Sequence, residues 1–139
     1  MSEFIVHFKE ENGAQYEDML RQQFYGQIDG RLRAVHLELD DYTYREFDKH
    51  ITITCLNRTK EQNRTVGGKP LSSHRFGRGE DGRSRDFDDE ELAKIERHLE
   101  EVWGDFLYVK VHGIGKNRHL HMNINVRYER KNFGQLKLR

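Results

Sequence analysis

Residues 119–126 read HLHMNINV, and every second position is apolar. Successive side chains of a strand point to opposite faces. Leu120, Met122, Ile124 and Val126 therefore share one face, and His119, His121, Asn123, Asn125 and Arg127 share the other. The same alternation runs through SEFIVHFKE at 2–10, RAVHLELDD at 33–41 and FLYVKVH at 106–112, while HITITC at 50–55 is short and β-branched. All five segments are predicted as strands. Two segments carry helical spacing instead. In AQYEDMLRQQFYGQ, 14–27, Tyr16, Leu20 and Phe24 recur every four residues with Met19 beside them, and Gly26 and Gly30 weaken any continuation. In FDDEELAKIERHLEEVWG, 87–104, Leu92, Ile95, Leu99 and Val102 form a stripe, Asp88 and Glu91 have the spacing of a capping box, and Gly104 ends the run. Residues 57–87 have no periodicity, contain the sole proline, Pro70, and are expected to form a long basic loop. The order strand, helix, two strands, helix, two strands predicts an α+β fold: a single, largely antiparallel sheet with helices on one face.

The composition sets bounds on this scheme. A chain of 139 residues is expected to be one domain, 1–139, and equal shares of hydrophobic and charged residues, 35% each, imply a modest core under a charged surface. Without an apolar run able to span a bilayer or a charged-then-apolar leader, a soluble cytoplasmic protein is expected. The single cysteine, Cys55, excludes an internal disulfide and a CxxC site. A net charge of zero hides segregation, since eight basic residues face three acids between 57 and 85. Such a basic segment suits a polyanion.

Turning each apolar set toward the helices leaves His7, His36, Glu38, His50, Lys110, His112, His119, His121, Asn123 and Arg127 on one open sheet face, a polar binding floor. His119 and His121 stand side by side on it, and His112 reaches them across the turn GIGKN. Three neutral imidazoles can hold a divalent ion with coordination positions left open. A metal beside a basic loop points to phosphoryl chemistry, the ion withdrawing charge from a phosphoryl oxygen.

VHGIGKNRHLHMNINVR resembles the three-histidine motif of plasmid mobilisation relaxases, the HUH endonucleases, with His112, His119, His121 and Asn125 at the motif positions and Arg118 where that family usually has proline. YGQIDGR at 25–31 is similar to the tyrosine context of some mobilisation relaxases. The resemblance implies a relaxase-like HUH fold that nicks and transfers single-stranded DNA of origin-of-transfer or replication-origin type. One Mg²⁺ or Mn²⁺ would sit on His112, His119 and His121, supported by His50 and Asn125. Tyr25 would be the nucleophile of a 5′-phosphotyrosyl link, with Tyr16, Tyr42 and Tyr44 as further candidates, and accessory relaxosome proteins would be partners. Arg75, Arg78, Arg83, Arg85, Lys110 and Arg127 would grip the strand, with Phe76 or Tyr108 offering stacking surfaces.

Two other readings stay open. HITI at 50–53 fits half of the two-histidine phosphoesterase signature, whose second tetrad would be HLHM or HMNI, neither with Ser or Thr at its third position. A non-catalytic nucleic-acid-binding protein would use the basic loop alone and leave the histidines without a role.

Overall fold

The structure, a computed structural model, describes residues 6–68 and 73–125. Its element order is β1 (His7–Phe8), α1 (Ala14–Gly26), α2 (Gly30–Phe47), β2 (Thr52–Cys55), α3 (Lys60–Thr65), β3 (Gly79–Arg83), α4 (Asp89–Trp103), β4 (Leu107–His112) and β5 (His119–Ile124). One sheet of five strands runs β1-β2-β3-β5-β4. The β1–β2 pair is parallel and the other three pairs are antiparallel, so the α+β expectation holds with a mixed sheet. No described helix is long and apolar enough to cross a membrane.

The apolar side of β5 is the floor of the core. Leu120, Met122 and Ile124 are buried under Leu20 and Phe24 of α1, Leu32, Val35 and Leu39 of α2, and Leu92, Ile95 and Leu99 of α4. The capping box at Asp88 and Glu91 is present, and Gly104 closes α4. Val102, expected on the buried stripe, is instead 49% exposed.

Residues 33–41, expected to be a strand, lie inside α2. Val35 and Leu39 fit a period of two and a period of 3.6 equally well. The longer window decides, because Leu32, Val35, His36, Leu39, Asp40 and Thr43 are all buried, at helical spacing. Asp29 caps this helix by accepting a hydrogen bond from the Arg31 amide at 2.8 Å. The change removes His36 and Glu38 from the expected open face. His36 is fully buried with Nδ1 2.6 Å from Glu80 Oε2, and Glu38 meets His98 at 2.8 Å. Residues 57–87, read as loop, hold α3, a 3-10 turn at Ser73–Arg75, and β3 in the middle of the sheet.

Leu37 separates the two periodicities. A strand would put it on the core face with Val35 and Leu39, whereas in α2 it is 40% exposed. Leu39→Ala is expected to cost about 2–5 kcal/mol in urea unfolding and Leu37→Ala under about 0.5 kcal/mol. Equal losses would contradict the helix.

Candidate metal centre

The sheet register assembles the site. On β5, His121 is paired with Asp81 of β3 on one side and Lys110 of β4 on the other, and His119 is paired with Arg83 and His112. The 3-10 turn carrying His74 lies directly on β3. Gly79 permits that contact, since a Cβ there would overlap Ser73 Oγ. Gly113, at φ 84°, makes the turn that brings His112 back toward His119, and a Cβ on it would strike the Asn117 carbonyl.

Three imidazoles converge on Asp81 Oδ1. His121 Nδ1 is 2.9 Å away, His74 Nε2 3.2 Å and His119 Nε2 3.7 Å. Each ring is held from behind by an acceptor on its other nitrogen. His74 Nδ1 is 2.6 Å from the Leu56 carbonyl, His119 Nδ1 is 2.8 Å from the Asn117 carbonyl, and His121 Nε2 is 2.8 Å from Asn123 Oδ1. An N–H donated to such an acceptor fixes the tautomer and turns the other nitrogen's lone pair toward the centre. His112 completes the group, its ring centroid 5.6 Å from that of His121 and 5.8 Å from that of His119, with no hydrogen-bond partner among the described residues.

The electrostatics fit a proton or metal trap. Burial opposes a charge on Asp81, but hydrogen bonds from His121 and His74, and the charges of His74 and His119, hold its carboxyl well below the usual range. Burial likewise opposes a charged His74, yet Asp81 and Cys55 outweigh it and push the imidazole up to about 10. Partial burial and the neighbouring His121, Lys110 and His119 charges keep His112 below its ordinary value.

Imidazoles plus one carboxylate make a donor set for one divalent ion. It is not the all-oxygen set that Mg²⁺ prefers, so the expected Mg²⁺ or Mn²⁺ is corrected on donor chemistry. Among the described residues, Cys55, His74 and Asp81 form a group whose ligand atoms all lie within 4.8 Å of one another. The thiol, however, sits 3.8 Å from His74 Nδ1, the nitrogen already engaged with Leu56, and therefore behind the ring.

The other expected residues are distributed as follows. Tyr25, at the end of α1, is 55% exposed, packs edge-on against Phe24 and does not line the histidine cavity. His50 is stacked on His7 and Tyr44 and hydrogen-bonds Asp40 at 2.8 Å, also outside that cavity. Asn125 donates to the Asp105 carbonyl. Arg78 and Tyr108 line the cavity, whereas Arg83 and Arg85 line a neighbouring one. Lys110 is exposed on β4, Arg75 belongs to the 3-10 turn, and Arg127 lies outside the described residues. His74 and Asp81 were missed as site residues, and Asn123, expected on the polar face, orients His121. A histidine followed seven residues later by aspartate, in SHRFGRGED, ahead of an H-x-H strand, was the available signal.

The raised His74 and depressed Asp81 values set a pH dependence for chelator-treated protein. Stability from His74 is complete below its ordinary 6.5 and is lost as pH rises through about 10. Stability from Asp81 is complete above its ordinary 3.8 and is lost as pH falls below that. The thermal midpoint of chelator-treated protein is expected to fall between pH 6.5 and 10, and the fall should be smaller in His74→Ala, where only the buried His36, also raised, still contributes. A midpoint flat over that range in the unsubstituted protein would contradict the pairing.

The sequence model of Peptidase M15 matches residues 12–123, an interval that contains His74, Asp81, His112, His119, His121 and Asn123. No curated protein and no solved structure matches the chain. The match overturns the relaxase resemblance, and with it the nicking and transfer of single-stranded DNA, the reason for giving Tyr25 a nucleophilic role, and both alternative readings. An H-x-H pair on a central strand serves metal binding in general, and it carried the resemblance further than the rest of the chain supports. The chain belongs to the Peptidase M15 family, and it is a hydrolase by family rather than a DNA endonuclease.

Proposed function

We propose that this protein is a zinc-dependent peptidase that cleaves a peptide bond close to a free carboxylate. The observation that carries the reading is the convergence of three imidazole nitrogens on Asp81 Oδ1, each ring anchored from behind. Family membership supports it, since Peptidase M15 is of a zinc D-Ala-D-Ala carboxypeptidase-like kind. His74 Nε2, Asp81 and His121 Nδ1 would hold the ion, three protein ligands being the number that leaves a catalytic zinc position open. When bound, zinc acts as a Lewis acid toward a carbonyl oxygen and makes water a better nucleophile.

The remaining steps fall to residues of the cavity, which encloses about 800 Å³. Asp81 is the only carboxylate among the described residues that line it. With Asp81 on the ion, His112 and His119, which stand beside the ligands, would take the proton of the attacking water on a free imidazole nitrogen. Arg58 supplies the recognition element. Its Nε is buried without a hydrogen-bond partner, and no side chain among the described residues pairs with its guanidinium. A half-buried, unpaired guanidinium on the cavity wall suits a substrate carboxylate.

Two measurements test this reading. Purified protein should contain one zinc per chain, and His74→Ala and Asp81→Ala should each lose it. With a short peptide substrate, Arg58→Gln should raise KM roughly tenfold to hundredfold, the loss of about 1.5–3 kcal/mol from one charged hydrogen bond. Amidating the peptide's carboxyl end should abolish the difference between the two proteins. Hydrolysis by a zinc-free Asp81→Ala protein at the unsubstituted rate would overturn the proposal.

A further inference from the structure

A second cavity, of about 920 Å³, adjoins the first and shares Arg58, Val66, Asp81, Asn117 and His119 with it. Its other walls carry Lys9, Arg83, Arg85 and Arg118 against a single further acid, Glu11. The direction of this trough follows from β3. Residues two apart on a strand share a face, so Arg83 stands on the same face as Asp81, about 7 Å farther along at the usual rise per residue. Arg85 continues the line beyond the strand end.

Two of these cations already hold a carboxylate. Arg83 and Arg85 both donate to the same oxygen, Glu11 Oε1, at 2.5 and 2.9 Å. Glu11 comes from the turn before α1 and is itself 47% exposed, so it closes the site from outside rather than from the core. Lys9, two residues earlier, has no ion-pair partner among the described residues. Arg118 pairs with Asp89 on the far side. In the trough a half-exposed side chain of the chain itself thus holds the carboxylate position between two arginines.

We propose that Lys9, Arg83 and Arg85 form a subsite for an acidic side chain of the peptide substrate, about two residues from the bond that is cleaved, and that Glu11 competes for it. The peptidase reading supplies the nature of the bound chain, and the spacing follows from the strand rise. A neutral or basic side chain at that position leaves the two arginines on Glu11 and gains nothing. An acidic one displaces Glu11 and adds the Lys9 contact.

The test uses zinc-loaded protein and two fluorescein-labelled octapeptides, one with four Glu and one with four Gln, both N-methylated along the backbone to resist cleavage. Anisotropy should show the Glu peptide binding at least tenfold more tightly, with log affinity falling as log salt rises. The double variant Lys9→Gln/Arg85→Gln should reduce the Glu peptide to the affinity of the Gln peptide. Glu11→Gln should tighten Glu-peptide binding severalfold, a gain that a misfolded variant would not produce. Equal affinity for both peptides, or an unchanged or weaker Glu11→Gln complex, would overturn the proposal. So would a single-stranded oligonucleotide of equal charge that binds more tightly than the Glu peptide. Binding of the Glu peptide with no hydrolysis of its unmethylated counterpart would support the subsite and overturn the peptidase reading instead.

Discussion

The candidate metal centre depends on the antiparallel register of β3 against β5. That register sets Asp81 opposite His121 and Arg83 opposite His119. A slip of one residue would send Asp81 to the core face and Glu80 to the histidines. Buried pairing on the other face resists such a slip. Glu80 and His36 are both buried and meet at 2.6 Å, while Glu80 Oε1 and His36 Nε2 have no partner. Burial opposes the charge on His36, but the charge and hydrogen bond of Glu80 raise its pKa. Breaking a buried pair strands the surviving charge, at a cost of several kcal/mol. The contact joins α2 to β3 directly behind Asp81, so the helical layer helps to aim the carboxylate.

The second requirement is orientation of the rings. Acceptors from three separate places do this: the Leu56 carbonyl after β2, the Asn117 carbonyl in the β4–β5 turn, and the Asn123 side chain on β5. Such outer contacts make imidazole a directed ligand rather than a rotating surface group. They also place Cys55 at the rear of His74, although its sulfur is near.

Parts of this were legible in the sequence for identifiable reasons. The β5 alternation is unbroken, so the shared face of His119 and His121 followed from the pleat alone, and the His112 turn followed from its glycines. The capped amphipathic helix at 88–104 was equally plain. The α2 segment was misread because Val35, Leu37 and Leu39 alternate over five residues, and only the burial of Leu32, His36, Asp40 and Thr43 reveals the helical face. β3 was hidden because GEDGR has no apolar residue at all, and this central strand buries Gly79, Glu80 and Gly82. Half of the candidate site thus lay in a segment without a hydrophobic period. The basic residues there suggested a nucleic acid, whereas Arg83 and Arg85 converge on a carboxylate.

X-ray absorption at the zinc edge of the purified protein tests the central claim most directly. With His74, Asp81 and His121 as ligands, the first shell should contain only nitrogen and oxygen, at about 2.0–2.2 Å. A sulfur scatterer at about 2.3 Å would place Cys55 on the metal and contradict the arrangement in which Leu56 turns His74 Nε2 toward Asp81.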